Sequence, residues 1–208
     1  MNLEIFPLDT RSNEQLAAIS ALHAELLPDS PIPRLGPSFV EGFYYRKLVE
    51  SGLIHVELAR FGGRYVAFSV WTKYPFTFMK EGIRRHWLSL CAALLLSLLQ
   101  NPSRFTIMLD VYRQSKARAL TPRPGAGEYL SLGVLTEAAA LRSAEGLRLP
   151  QAMFERVIAF FKAEKFEEIL LMIRKTNSKS LFFYRSYGAE KVETDFVASD
   201  CVLMAVHP

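Results

Sequence analysis

The sequence predicts an α/β protein with a mixed sheet, and three observations lead to that fold class. Half of the 208 residues are hydrophobic and 22% are charged, as expected of a globular chain with a sizeable core. Short β-rich runs alternate along the chain with segments of helical periodicity. Glycine and proline clusters fall between these segments, where they mark loops. We expect the order β-α-α-β-β-insert-β-α-β-α-β-β, which contains seven strands.

The chain begins with a predicted strand and two predicted helices. Alternating apolar residues predict a strand over residues 3–8. The sequence Ser12-x-x-Gln15 is typical of a capping box, so a first helix should begin there and end at Pro28. A proline-rich loop follows, and a second helix is expected over about residues 38–50.

A hairpin and then an insert are predicted next. Two β-rich runs, 53–60 and 64–72, are joined by Gly62-Gly63, which favours a tight antiparallel turn. Residues 74–127 break this pattern and form a basic, apolar insert. Its apolar run, 87–99, is shorter than the roughly 20 residues that cross a bilayer, so we expect a buried or interfacial helix. A further helix should start after Pro102, before a proline- and glycine-rich loop.

The C-terminal part alternates strands and helices. Pro150 suits the first turn of a long helix, where its missing N–H is not needed. The continuous apolar run 169–173 is typical of a strand buried on both faces. Gly188 suits the end of a short helix, and two last strands should form a hairpin. The predicted elements lie over residues 128–135, 150–165, 169–173, 178–187, 191–196 and 201–206.

Charge and cysteine content exclude several function classes. The net charge of +4 is too small for a dedicated nucleic-acid binder. Residues 80–123 hold eight basic and two acidic side chains, a local net of +6, which leaves −2 for the rest of the chain. Cys91 and Cys201 are far apart and indicate neither disulfides nor a metal cluster. With no signal-like N-terminal segment, we expect a cytoplasmic protein without a metal.

The most informative motif follows the buried strand 169–173. Asn177 stands at the carboxyl end of that strand, where α/β sheets place their ligands. Tyr184 is two helical turns further on the same face, so both side chains can address one extended molecule. With a small residue at Ser180 and a glycine at Gly188, this spacing resembles the closing motif of the GNAT acetyltransferase superfamily. Ala189 stands where that family has phenylalanine.

The resemblance implies a single GNAT-like domain over residues 1–208, with a mostly antiparallel sheet and a helical insert at 74–127. It also implies an acetyl-CoA site, in which pantetheine lies beside the strand that starts at Glu128, where a local splay exposes backbone groups. Tyr184 would lie near the sulfur and protonate the departing thiolate, since a phenol of pKa about 10 stays protonated at neutral pH. The alternative is that Asn177 and Tyr184 are an ordinary helix cap and a core aromatic. The implied cofactor-binding residues along the strand and helix are Leu132, Gly133, Val134, Asn177, Ser180 and Tyr184.

The loop that should hold the pyrophosphate departs from the family pattern. Similar proteins carry Gln or Arg-x-x-Gly-x-Gly, whose backbone N–H groups bind the anion. The equivalent residues 142–150 contain one glycine. Counting back from Asn177 places the family's second glycine at Pro150, which has no N–H, whereas counting forward from Val134 places it at Ala144, so the loop is about six residues longer. Either Gly146, Leu147 and Arg148 hold the pyrophosphate in a rebuilt loop, which we favour, or CoA binding is weakened.

A general base is harder to assign. Glu128 lies at a position from which similar enzymes use a carboxylate, but it is equally a candidate for a solvated residue beside a loop. Glu57 and Asp110 are weaker candidates. His23 and His55 are expected to be packing residues on a helix and a strand.

The resemblance implies an N-acetyltransferase that moves acetyl from acetyl-CoA to a small-molecule or peptide amine by direct attack on the thioester, with a hydroxyl acceptor or a longer acyl donor left open. The alternatives are a catalytically degenerate acyl-CoA sensor or interaction module, and a membrane-peripheral protein that acts through the insert. We expect the insert to pack on the domain's own core or in a homodimer interface. It could instead lie on an anionic membrane or cover a long hydrophobic substrate.

Overall fold

A seven-stranded sheet forms the centre of the computed structural model, which describes residues 2–107, 109, 124–193 and 200–208. The strand order is β1-β2-β3-β4-β5-β7-β6. Only β4 and β5 are parallel, and the other neighbours are antiparallel, so the predicted mixed, mostly antiparallel sheet is confirmed. The strands are β1 (Leu3–Pro7), β2 (His55–Phe61), β3 (Arg64–Thr72), β4 (Ala126–Val134), β5 (Glu168–Arg174), β6 (Glu190–Lys191) and β7 (Cys201–Val206).

The helices follow the predicted order, with two short additions, a turn at Pro31–Arg34 and a 3-10 turn at Thr136–Ala138, and with an irregularity within α3. A single turn, α2, lies within the proline-rich loop, because proline is well suited to a first helical turn. The middle of α3, Val40–Lys47, is π-helical, which no sequence pattern indicated. The helices are α1 (Asn13–Leu26), α2 (Pro31–Arg34), α3 (Pro37–Phe39, Val40–Lys47 and Leu48–Glu50), α4 (Phe78–Gln100), α5 (Leu149–Ala163) and α6 (Ser178–Arg185).

The predicted capping box of α1 is only half formed. The Ser12 hydroxyl accepts from the Gln15 N–H at 3.3 Å, as expected. The Gln15 side chain, however, accepts from the N–H of Asp9 at 2.9 Å. A turn in which the Ser12 N–H donates to the Asp9 carbonyl brings Asp9 within its reach. Gln15 therefore fastens the preceding loop to the helix.

The two faces of the sheet are covered by different helices. Cross-strand partners share a face and consecutive residues alternate. The α1/α3 face carries the pair Leu58 and Phe68, which joins the core cluster of α1 and α3. The α5/α6 face carries Trp71, Tyr129 and Leu171, which join the core cluster of α5 and α6. The predicted C-terminal hairpin is confirmed where Lys191 pairs with Met204, and residues 194–196 of its first strand lie outside the described residues.

Helix α4 packs next to α3 with buried small residues and with partly buried Leu90 and Leu94, and it turns six other large side chains outward. Gly82, Ala93 and Ser97 are buried, and the Ser97 hydroxyl donates to the carbonyl of Leu35. A Cβ at Gly82 would lie 2.3 Å from Leu48 Cδ2, so the two helices approach closely. The expectation that the insert packs its apolar side chains on the core is therefore confirmed for part of this helix only, since Phe78, Met79, Leu90 and Leu94 pack against the core and other large side chains are exposed. The predicted loop residues 121–123 lie outside the described residues.

Candidate active site

Strands β4 and β5 pair over a short distance and then part. Their parallel pairing runs from Ala126 opposite Glu168 to Tyr129 opposite Leu171. Beyond that point β4 pairs only with β3 and β5 only with β7. The edge of β4 from Leu132 to Val134 therefore presents its backbone groups to the gap between the strands, which is the splay that the resemblance implied.

A β-bulge lies where the two strands part. Trp71 is opposite Tyr129 and Val70 is opposite Ser131, so Leu130 has no partner on β3. A bulge bends a strand and increases its twist, which turns the end of β4 away from β5. Leucine carries no bulge signal, so the sequence alone could not place it.

Helix α6 begins at the mouth of this gap, just beyond the end of β5. Asn177 is its N-cap, and the side-chain oxygen of Asn177 accepts from the Ser180 N–H at 3.1 Å. The Asn177 side chain is exposed. Because its oxygen is used by the cap, a ligand in the gap would meet the amide nitrogen instead.

Tyr184 points from α6 into an aromatic cluster under the gap. It is 7% exposed, and its ring lies 6.2 Å from that of Tyr129 and 5.1 Å from that of Phe154. Burial raises the pKa of the Tyr184 phenol above its usual value of 10. The phenol is therefore protonated at neutral pH, as a proton donor must be.

Glu128 is buried, and it is not the solvated residue that one interpretation predicted. It is 8% exposed, and its Oε2 accepts from the N–H of Phe76 at 3.0 Å. The segment between β3 and α4 folds over this end of β4, which removes the carboxylate from solvent. Burial, with the charge of Glu128 as a second cause, raises the pKa of Tyr44 on α3.

The two candidate catalytic residues lie on opposite faces of the sheet. Glu128 neighbours Tyr44 on the α1/α3 face, whereas Tyr184 packs against Tyr129 on the α5/α6 face. Glu128 and Tyr129 are consecutive in β4, so they point in opposite directions. The gap that opens beyond Tyr129 joins the two faces.

The loop before α5 forms a small hairpin. Arg142 bridges to Arg148, the Ser143 N–H donates to the Leu147 carbonyl at 2.8 Å, and the Gly146 N–H donates to the Ser143 carbonyl at 3.0 Å. Gly146 has φ +81°, a conformation that glycine adopts without strain. The Arg148 N–H donates to the Gln151 side chain at 3.3 Å. An anion would have to displace these bonds to use the Gly146 or Arg148 N–H, so the exposed Arg148 guanidinium is the better candidate.

The remaining candidates have structural partners. Glu57 accepts two hydrogen bonds from Arg156, at 2.7 and 2.6 Å. His23 is buried with its Nδ1 2.6 Å from the Tyr45 hydroxyl, and burial lowers its pKa to about 4. His55 stacks on Trp71, so both histidines pack as predicted. Asp110 lies outside the described residues.

Sequence analysis missed the buried tyrosines beside Glu128. Phe43, Tyr44 and Tyr45 are consecutive and all buried. An α-helix turns 100° per residue, so a helical pattern would leave one of three consecutive residues at the edge of the buried face. The wider π-helical turn brings all three inward. Within the described ranges, no group of three or more His, Cys, Asp or Glu side chains could hold a metal ion.

Comparison with known proteins relates this chain to others through structure alone. No family model and no curated protein sequence matches it. A PaiA N-acetyltransferase from Thermoplasma acidophilum, solved in complex with coenzyme A, matches over the whole of both chains, with 12% identity and a TM-score of 0.56. An N-acetyltransferase from Staphylococcus aureus Mu50 matches with 12% identity and a TM-score of 0.58, over 100% of this chain and 99% of the other. The GNAT domain of a PAT protein from S. lividans matches with 10% identity and a TM-score of 0.57, over 99% of this chain and 90% of the other.

Proposed function

Because this chain has the fold of the GNAT N-acetyltransferases, we propose that it transfers an acetyl group from acetyl-CoA to an amine. The observation that carries the proposal is the gap between β4 and β5, with Tyr184 beneath it and Asn177 at its mouth. The acceptor is a small-molecule or peptide amine.

Acetyl-CoA is a cosubstrate that would lie along the open edge of β4. The backbone of Leu132, Gly133 and Val134 offers hydrogen-bonding groups that have no partner on β5. The pantetheine amides can use such groups, because an extended ligand can pair with a strand edge as another strand would. The Asn177 amide nitrogen and the Ser180 hydroxyl would contact the same arm from α6. The Arg148 guanidinium would hold the pyrophosphate, since this group suits phosphate.

The reaction is a direct displacement at the thioester carbon. The amine nitrogen attacks the carbonyl carbon, the carbon–sulfur bond breaks, and the thiolate takes its proton from the Tyr184 phenol. The raised pKa of Tyr184 keeps the phenol protonated at neutral pH, and it also makes the phenol a weaker acid towards the thiolate. Glu128 accepts the proton that the amine loses, from the α1/α3 face. The acceptor therefore approaches through that face and CoA through the other.

Acetyl-CoA binding and one variant test the proposal together. We expect isothermal titration to show acetyl-CoA binding, and Tyr184→Phe to lower kcat by roughly 100-fold or more with little change in acetyl-CoA affinity. The matched control is Tyr187→Phe, the same change in the turn that follows α6, which should leave kcat unchanged.

Two results would count against parts of this proposal. An absence of acetyl-CoA binding would remove the enzyme function and indicate that the hairpin at 142–148 has closed the phosphate site. Binding with an unchanged kcat in Tyr184→Phe would remove Tyr184 as the acid and leave the transferase function intact.

A further inference from the structure

Helix α4 carries a large apolar surface on its outer side, and we propose that this surface binds an anionic phospholipid membrane. Leu99 is 73% exposed, Leu88 65% and Trp87 57%. The exposed large side chains, here called the α4 patch, are Ile83, Trp87, Leu88, Leu95, Leu96 and Leu99. Contiguous apolar surface of this kind marks an interaction site in a folded protein.

The patch is continuous and free of charge. Residues 87–100 contain no charged side chain, and at 1.5 Å per residue they extend for about 20 Å. Trp87, Leu88, Leu95 and Leu99 follow at helical spacing, so they share one side. A kink at His86, where φ is −127° and ψ is 32°, separates this apolar part from the basic first turns of α4.

The outward orientation of the patch is fixed by packing on the opposite side. The small buried residues of α4 lie against α3, with Gly82 next to Leu48. The Arg104 guanidinium donates to the Ser97 carbonyl at 3.2 Å, which fastens the segment after the helix. Rotating the patch inward would put leucine and tryptophan side chains where only glycine, alanine and serine fit.

Charge complementarity favours an anionic surface as the occupant. Lys80, Arg84 and Arg85 flank one end of the patch. Glu81 is the only acidic residue from 74 to 107, and it pairs with both Arg84 and Arg85, at 2.6 and 2.7 Å. Apolar side chains bordered by basic ones are the pattern of helices that lie in a membrane interface. Trp87 at the basic end suits the headgroup level, where indole rings concentrate.

A second copy of the chain fits this surface less well. Pairing α4 with itself in parallel would place Arg84 and Arg85 beside their own copies. Antiparallel pairing would place them beside the end of the helix at Gln100, where there is no acidic side chain. In the parallel pairing the acidic side chain nearby is Glu81, which already pairs with Arg84 and Arg85 of its own copy, so neither arrangement gives them a new acidic partner.

The helix would lie on the membrane and not cross it. By length and composition Phe78–Gln100 could span a bilayer, and 17% of its most apolar window is buried. Gly82 and Ser97, however, both pack against the folded domain near the two ends of the helix. The chain enters α4 from β3 and returns to β4, which are neighbours in one sheet. If α4 crossed a bilayer, it would lose these contacts with the domain.

Vesicle binding by the full chain tests the proposal, with Trp87 as the reporter. The chain has two tryptophans, and the other, Trp71, is buried. We expect the chain to float with vesicles of phosphatidylcholine containing about a third phosphatidylglycerol, and to bind pure phosphatidylcholine at least about tenfold more weakly. Trp87 emission should shift to shorter wavelength and be quenched by brominated lipid.

Paired variants distinguish vesicle binding through the α4 patch from non-specific adsorption. Leu96→Asp with Leu99→Asp should lower affinity for anionic vesicles by about tenfold or more, with unchanged thermal unfolding, because both side chains are exposed. The matched control is Phe182→Asp, which removes an equally exposed aromatic on α6 and should leave vesicle binding unchanged. Arg84→Glu with Arg85→Glu should also reduce binding by about tenfold or more.

Three outcomes would overturn the proposal. Absence of vesicle binding would do so, as would binding that survives the Leu96 and Leu99 substitutions. The third outcome is a dimer, seen by light scattering, that these substitutions dissociate while no vesicle binding is found. That result would show that a second copy covers the patch.

Discussion

The two faces of the sheet are built from different chemistry. The α5/α6 face is covered by an aromatic and aliphatic cluster around Phe154, Phe161 and Tyr184. The α5/α6 face also buries Glu57, which pairs with Arg156 of α5. The α1/α3 face buries His23, Tyr44, Tyr45 and Glu128 among its apolar residues. On the α5/α6 face the buried carboxylate of Glu57 therefore has an arginine partner, whereas on the α1/α3 face burial favours the neutral form of His23.

This difference between the two faces bears on the protonation of Tyr184 and Glu128, which lie on opposite sides of the gap between β4 and β5. Burial raises the pKa of Tyr184 and keeps its phenol protonated. In the proposed reaction the buried carboxylate of Glu128 would accept a proton on the opposite side. The sheet would then separate the donor from the acceptor, and the gap between β4 and β5 would join its two faces.

The largest expected effect is on the α5/α6 face. Phe161 is fully buried, with its ring 5.3 Å from that of Phe166. Phe161→Ala should lower the free energy of unfolding by about 3–5 kcal/mol, because the cavity adds to the lost transfer energy. Urea unfolding should show this loss with the same value at pH 5 and pH 7. A loss below about 1 kcal/mol would contradict the tight packing of this face.

On the α1/α3 face we expect a pH dependence instead. Burial lowers the pKa of His23 from 6.5 to about 4, and Tyr44 and Tyr45 are the titratable groups against its ring. Below pH 6.5 the unfolded chain binds a proton that the folded chain does not, so stability falls as pH drops from 6.5 towards 4. Over this pH range the His23 titration lowers the free energy of unfolding by about 3 kcal/mol.

The variant His23→Gln isolates that contribution. Between pH 7 and pH 4 the wild-type chain should lose about 3 kcal/mol more than the variant, because other acidic groups act equally in both. Phe161→Ala serves as the control, since its stability curve should run parallel to that of the wild type. Parallel curves for His23→Gln would show that His23 is not buried in its neutral form.

A smaller effect tests how closely α5 approaches the sheet. A Cβ at Gly127 would lie 2.0 Å from Phe161 Cε1. Gly127→Ala should therefore cost about 1–3 kcal/mol through overpacking. In the Phe161→Ala background the same change should cost less, because the cavity accommodates the methyl group. Additive costs in urea unfolding would contradict the close approach.

The sequence predicted the elements that follow from local rules. The Gly62-Gly63 turn, the buried run in β5 and the Gly188 helix end all follow from backbone geometry and periodicity, and the structure confirms them. The positions of Asn177 and Tyr184 follow from the same rules, since a strand end and two helical turns fix them.

Features that depend on tertiary contacts could not be predicted. The bulge at Leu130, the π-helical part of α3 and the burial of Glu128 arise from neighbouring strands and from a segment that folds back over β4. The bonds within the 142–148 hairpin depend on its closed shape. The orientation of α4 is a further case, because periodicity shows that a helix has faces without showing which one is buried.

The smallest expected effect concerns that orientation. Leu96 is exposed on the α4 patch, whereas Ala93, three residues earlier, is buried. Leu96→Ala should change the free energy of unfolding by less than about 0.5 kcal/mol, because no cavity forms. Ala93→Leu should cost about 1–3 kcal/mol, because the added atoms have no space next to α3. Urea unfolding of both variants compares the two sides of one helix. A large loss in Leu96→Ala with a small one in Ala93→Leu would mean that α4 packs on the domain through its leucines, which would leave no apolar surface for a membrane.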